Sequence, residues 1–122
     1  MSIYPTLRYD DAKAAIRFLV DVFGFTEKSV MENPDGTVGH AELEWPGGGL
    51  VMLGQRRAEP SPFDNGRTVT YLALDDPDAH HGRAVTAGAE IVMELVDQDY
   101  GSRDYAARDP EGNVWCFGTY RP

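Results

Sequence analysis

The chain is poor in several things, and each shortage excludes a class of protein. It has one cysteine, Cys116, so no disulfide can form within it, which rules out a stapled secreted scaffold and fits a reducing cytosol. Basic residues are in the minority: 11 Lys and Arg stand against 20 Asp and Glu, a formal charge of -9. That balance repels nucleic-acid phosphate and leaves cationic small molecules as the favoured charged ligands. No segment approaches the roughly 20 apolar residues of a membrane span, and no charged-then-apolar leader opens the chain. Neither nucleic acid nor membrane is an expected partner, and the expected compartment is the cytoplasm. The 122 residues are enough for a single domain with its own core.

What the chain does have is a repetition. Leu7-Arg8-Tyr9-Asp10-Asp11 and Leu72-Ala73-Leu74-Asp75-Asp76 each close a strand-like run. Each is followed by an amphipathic stretch ending in glycine (Gly24, Gly88), by alternating segments, by a turn rich in glycine or Asp-Pro, and by a last apolar strand. An offset of about 65 residues is too long for a solenoid and suits two copies of a strand-helix-strand-strand-strand unit. Module one covers about residues 1–54, a polar linker about 55–67, and module two about 68–122.

The local signals predict a strand over 3–9 and a helix capped by Asp10 with the stripe Ala12, Ala15, Ile16, Leu19, Val20 and Phe23. Further strands follow over 25–32, 38–45 and 50–54. Strands over 68–74, 90–96, 103–108 and 113–120 are predicted in module two. Its helix is opened by Asp76 and Pro77, with His81, Ala84 and Val85 as inner edge. His80 and His81, adjacent on that helix, diverge by about 100° and are not expected to face one site. Each helix must cover one face of its sheet, so Leu7, Val51, Leu53, Leu72, Leu74, Trp115 and Phe117 are assigned to the core, with Trp45 at core or interface. The opposite, concave faces then carry Tyr4, Thr6, Arg8, His40, Glu42, Met52, Val69, Tyr71, Ala73, Val114, Cys116 and Gly118. Aromatics with a few convergent polar groups are the lining of a small-molecule site.

Leu7 through Asp11, Phe18, Phe23-Gly24-Phe25, Tyr100-Gly101-Ser102-Arg103 and Arg108 through Asn113 resemble the vicinal oxygen chelate superfamily of glyoxalases, extradiol dioxygenases and bleomycin-resistance proteins. The resemblance implies an α+β fold of two βαβββ modules forming a half-barrel pair. It also implies, for metal enzymes of the group, one His, Gln or Glu ligand on the first and last strand of each module. Here those positions carry Tyr4, Met52, Val69 and Cys116, which cannot assemble three hard or imidazole ligands. No metal and no other cofactor are therefore expected.

The implied function is metal-free binding of a small molecule, possibly an antibiotic, of the bleomycin-resistance type. A cationic or aromatic compound would be held by Tyr4, Thr6, Arg8, His40, Glu42, Met52, Val69, Tyr71, Arg103 and Cys116, within a homodimer. Two alternatives stand beside it. One is a lyase, dioxygenase or isomerase using a displaced metal around His40 and Glu42, or none, with His40 as a base oriented by Glu42. The other is a dimeric module with no ligand of its own. Arg8 and Arg103 read either as clamps for an anion or as partners of nearby carboxylates.

Overall fold

In the computed structural model, which describes residues 1–64 and 66–122, strand β1 (Thr6–Tyr9) runs into helix α1 (Ala12–Phe18). The cap is Asp11, not Asp10: Asp11 Oδ1 accepts the Ala14 amide at 3.1 Å, satisfying one of the unpaired first-turn donors. Asp10 is held instead by the Arg56 guanidinium at 2.9 Å. Beyond Phe18 the helix widens into a π-helical turn, Leu19–Phe23, closed by Gly24 at φ 90°. The extra residue in that turn brings Leu19, Val22 and Phe23 inward together. Val22 thereby takes the core place expected of Val20, which stays half-buried.

Strands β2 (Thr26–Glu32), β3 (Val38–Glu44) and β4 (Leu50–Gln55) complete a four-stranded sheet in the order β1-β4-β3-β2. Only β1 and β4 run parallel, because α1 and two further strands separate them in the chain. Helix α1 packs on β1, β3 and β4. Leu7, Tyr9, Ala41, Leu43, Val51 and Leu53 are buried on that face, each large side chain contributing about 2 kcal/mol. Strict alternation would put Val38 with His40. It is instead fully buried, because the pairing steps from Met31↔His40 to Glu32↔Val38 and leaves Gly39 as an extra residue.

The first compact unit is Met1–Gly66 and the second Arg67–Pro122. Asn65, inside the expected linker, lies outside the described residues. The second unit repeats the plan with β5 (Val69–Ala73), α2 (Pro77–Thr86), β6 (Glu90–Asp97), β7 (Arg103–Arg108) and β8 (Val114–Gly118). Its sheet order is β5-β8-β7-β6. Asp76 Oδ1 caps α2 through the Ala79 amide at 3.0 Å, with Pro77 in the first turn.

The inner edge of α2 differs from the expected one. Ala84 is buried, but Val85 is 49% exposed. His80 takes an inner place beside the expected His81: its ring centroid lies 4.2 Å from that of Phe117, and its Nδ1 lies 2.5 Å from the Tyr105 hydroxyl. His81 meets the same Tyr105 ring edge-on at 5.1 Å. The two histidines diverge around the helix as expected, yet Tyr105 is long enough to be met at its hydroxyl by one and at its ring by the other. Tyr105 and Phe117 stack beneath them at 5.2 Å.

The turn between β7 and β8 is organised by one buried carboxylate. Asp109 Oδ1 accepts the amides of Glu111 and Asn113 at 3.0 and 3.1 Å. Its Oδ2 accepts the Asn113 side chain and the Trp115 indole N–H, each at 3.0 Å. Asn113 Oδ1 in turn accepts the Thr68 amide at 2.9 Å, fastening the approach to β5. No helix of the described residues is long and apolar enough to cross a membrane.

Two substitutions test this account by chemical denaturation. Asp109→Ala leaves buried donors of Trp115 and Asn113 without an acceptor and should cost about 3 kcal/mol. Gly82→Ala, inside α2 with nothing within 4 Å of an added Cβ, should stabilise by about 0.5–1 kcal/mol. A silent Asp109→Ala or a destabilising Gly82→Ala would contradict it.

Candidate functional site

The face of each sheet opposite its helix is where the remaining side chains gather. In the first unit, cross-strand register lines up Thr6, Met52, Glu42 and Ser29 in one row. Arg8 beside Gly54, and His40 beside Met31, belong to the next. A Cβ at Gly54 would lie 2.8 Å from the Gly39 carbonyl oxygen, so glycine leaves room for the β3 backbone, with Arg8 Nη1 at an ordinary contact distance of 3.6 Å. Arg8 Nε is buried without a hydrogen-bond partner. His40 Nε2 and Glu42 Oε2 are 3.0 Å apart, forming the histidine–carboxylate pair that their shared face allowed.

Tyr4 lies ahead of β1 and is 51% exposed. It lines a pocket of about 440 Å³ with Glu44, Trp45, Pro46 and Leu50, at the end of the β3–β4 hairpin. Trp45 is half-buried and leans on Phe25 with ring centroids 5.0 Å apart.

In the second unit the corresponding rows are Tyr71, Cys116, Ala106 and Met93, then Ala73, Gly118, Asp104 and Val96. Val69 stands opposite Val114 at the rim. Asp104, Tyr100 and Tyr120 were absent from the expected site. Asp104 is only 5% exposed; it accepts the Ser102 hydroxyl and, at 3.2 Å, that of Tyr100. Tyr71 donates its hydroxyl to the Tyr120 carbonyl at 2.6 Å. A Cβ at Gly118 would overlap Asp104 and come within 2.8 Å of the Tyr71 hydroxyl, so a glycine notch makes this grouping possible. A signal for Asp104 was present in the sequence. If the strands flanking residues 109–113 pair antiparallel with Arg108 opposite Val114, Asp104 must fall opposite Gly118.

Arg103 does not belong with these residues. Its alternation is opposite to that of Asp104, and it bonds Asp78 on α2 at 2.9 Å and Asp97 at 3.1 Å. Those carboxylates hold it on the helix-covered side and keep its guanidinium strongly protonated. Cys116 is half-buried on the open face. Burial pushes its thiol pKa up, and the negative charge of Asp104 pushes it further. The same two causes raise the Tyr71 phenol, desolvation first, against lowering hydrogen bonds from Ser102 and Tyr120.

The four positions that the superfamily resemblance assigns to metal ligands, Tyr4, Met52, Val69 and Cys116, do not fit a metal here. Met52 faces Thr6 across β1 and β4, and Cys116 faces Tyr71 across β5 and β8. A thioether, a phenol, an isopropyl group and a thiol held protonated are a poor set for a hard divalent ion. Nor do any three His, Cys, Asp or Glu side chains among the described residues group so as to hold a metal ion.

The comparisons agree with this frame. The family model for the Glyoxalase/Bleomycin resistance protein/Dioxygenase superfamily matches residues 3–117, and the chain belongs to that superfamily. It is 33% identical to an uncharacterized protein of Mycobacterium bovis, over 96% of this chain and 82% of that one. The crystal structure of TioX from Micromonospora sp. ML1 is similar with a TM-score of 0.78 and 32% identity, covering 99% of both chains. Lactoylglutathione lyase from Agrobacterium tumefaciens shares the fold, with a TM-score of 0.72 and 22% identity over 97% of this chain and 92% of that one.

The Cys116 environment yields a direct test. In mildly alkaline buffer a disulfide reagent should label Cys116 several-fold more slowly than free cysteine, since less thiolate is present. Asp104→Asn should accelerate labelling by removing one of the two raising causes. Equal rates for the two proteins would show that the Asp104 charge does not reach the thiol.

Proposed function

We propose that this chain is a metal-independent small-molecule binding protein of the bleomycin-resistance type, holding a cationic or aromatic compound on the open faces of its sheets. An antibiotic is the proposed kind of ligand and the cytoplasm the proposed compartment. The observation that carries the reading is the side-chain chemistry of Tyr4, Met52, Val69 and Cys116, at the positions that the superfamily resemblance assigns to metal ligands. Aromatic and apolar groups there suit stacking and packing rather than coordination. The pocket of about 440 Å³ beside Tyr4 and Glu44 supports it, being of the size that takes a small molecule. The charge of -9 supports a cation over an anion.

A second reading rests on one contact, the 3.0 Å approach of His40 Nε2 to Glu42 Oε2. A carboxylate that orients an imidazole is the arrangement of a general base. Under that reading His40→Ala abolishes turnover of a bound compound; under the binding reading it leaves a stable complex and no turnover to lose.

The test is thermal denaturation of chelator-treated protein against a panel of amphipathic antibiotics and aromatic amines. At least one compound should raise Tm with concentration, because a ligand of the folded state stabilises by mass action. A shift that disappears on chelation, and returns with added metal, would overturn metal independence. A panel without effect would favour a module with no ligand of its own.

We further propose a homodimer. Strands β1 and β2 each pair on one side only within their sheet, and open edges are a liability unless covered. Ile3 and Val69, 93% and 72% exposed, are apolar surface that a twofold partner would remove from water. Sedimentation at micromolar concentration should give the mass of two chains; the mass of one would defeat the dimer.

A further inference from the structure

On the footing of the binding function above, we propose that Asp104, with Tyr71, Tyr100 and Tyr120, recognises an organic ammonium group. Asp104 is 5% exposed, and its described donors are two neutral hydroxyls, Ser102 and Tyr100. Among the described residues no Lys, Arg or His forms an ion pair with it. Arg121, the nearby cation, is engaged by Asp75 at 2.6 Å, and Arg108, at the far end of β7, is engaged by Glu90. A carboxylate removed from water is costly unless a cation or several donors meet it. Here the chain supplies hydroxyls and no charge.

The surroundings of that carboxylate are aromatic and open. Tyr71, Tyr100 and Tyr120 are 38%, 66% and 50% exposed, an unusual amount of aromatic surface around one acid. Tyr100 and Tyr120 stand edge to face, ring centroids 5.9 Å apart at 84°. Their placement is fixed rather than loose. The Tyr120 amide donates to the Ser102 hydroxyl at 3.1 Å, and the Tyr120 carbonyl accepts the Tyr71 hydroxyl. Every member of the group is thus tied to Ser102, Asp104 or Tyr120. Gly118 supplies the missing Cβ that lets the carboxylate and the Tyr71 hydroxyl sit side by side.

The chemistry selects among ligand classes. An anion would meet the Asp104 charge and be repelled. A calcium or magnesium ion wants several carboxylate or carbonyl oxygens, and one carboxylate with phenols falls short. A neutral aromatic compound would use the rings and leave the carboxylate unanswered. An ammonium, primary or methylated, uses both: the ring faces attract it through their quadrupoles, and the carboxylate supplies the opposite charge.

Choline, and neohexyl alcohol as its uncharged carbon isostere, make the probe pair, followed by amide NMR on the full chain. Choline should move the resonances of residues 100–104 and 119–120 saturably, and the alcohol should bind about tenfold more weakly or not at all. Asp104→Asn should weaken choline by about tenfold or more and leave the alcohol unchanged. Tyr100→Leu should weaken choline while Tyr100→Phe retains it. Tyr100 is exposed, so this pair keeps the test decisive if Asp104→Asn fails to fold. Equal binding of choline and alcohol, choline shifts elsewhere in the chain, or an indifferent Asp104→Asn would each overturn the proposal. If a panel compound binds at the Thr6–Met52–Glu42 row while choline leaves the second unit unmoved, the binding function stands and the ammonium site falls. If no compound binds anywhere, both fall.

Discussion

The Asp109 carboxylate is the contact on which the second unit depends. Its two oxygens take four donors from the β7–β8 turn and the start of β8, among them the indole of Trp115, the largest fully buried side chain. A turn closed this tightly leaves one register for the strands that leave it, and a slip of one residue would turn every side chain to the other face. That register puts Tyr105 over Phe117 in the core, and Asp104 opposite Gly118 on the open side. Through Asn113 the same network fastens the approach to β5, so Tyr71 arrives opposite Cys116. The core and the polar face are therefore two consequences of one set of hydrogen bonds.

The two units use one frame with different chemistry. Gly54 and Gly118 occupy the same place on the last strand of their modules, and each has a charged side chain beside it. In the first unit that neighbour is Arg8, on the adjacent parallel strand. In the second, Ala73 stands in the Arg8 position and the charge comes from β7 as Asp104. His40 and Asp104 correspond in the repeat, as do Glu42 and Ala106, which pair with Met52 and Cys116. The repeated frame thus offers a cation and a histidine–carboxylate pair on one face, and an acid among tyrosines on the other. Because the fold sets positions and the side chains set chemistry, membership in the superfamily defines the frame and leaves the activity to these residues.

Much of the frame was legible because it rests on period. Alternation along β3, β4, β5 and β8 separated core from open face correctly for Leu43, Leu53, Leu72 and Phe117. The caps and the glycines after each helix marked the modules. The misreadings have local causes. Asp10 and Asp11 are chemically equivalent as caps, and the contacts that distinguish them come from Gln55 and Arg56, distant in the chain. The π-helical turn shifts the stripe from Val20 to Val22, an irregularity that a regular helical period does not contain. The extra residue at Gly39 reverses Val38 because a bulge changes which face is next. Arg103 alternates away from the open face toward Asp78 and Asp97, and the β7–β8 register brings Asp104 there in its place.

The sequence by itself determined the repeat, the two helices and the parity of most strands. All of these follow from residue type and spacing along the chain, which local stereochemistry reads directly. Tertiary structure decided which parity-matched groups touch. The Tyr100 hydroxyl reaches Asp104 because the loop after β6 folds back, and Tyr120 joins them because Ser102 holds its amide. His80 joins His81 on the inner side of α2 through its contacts with Phe117 and the Tyr105 hydroxyl. Such choices depend on partners far apart in sequence, and no periodicity along one strand encodes them.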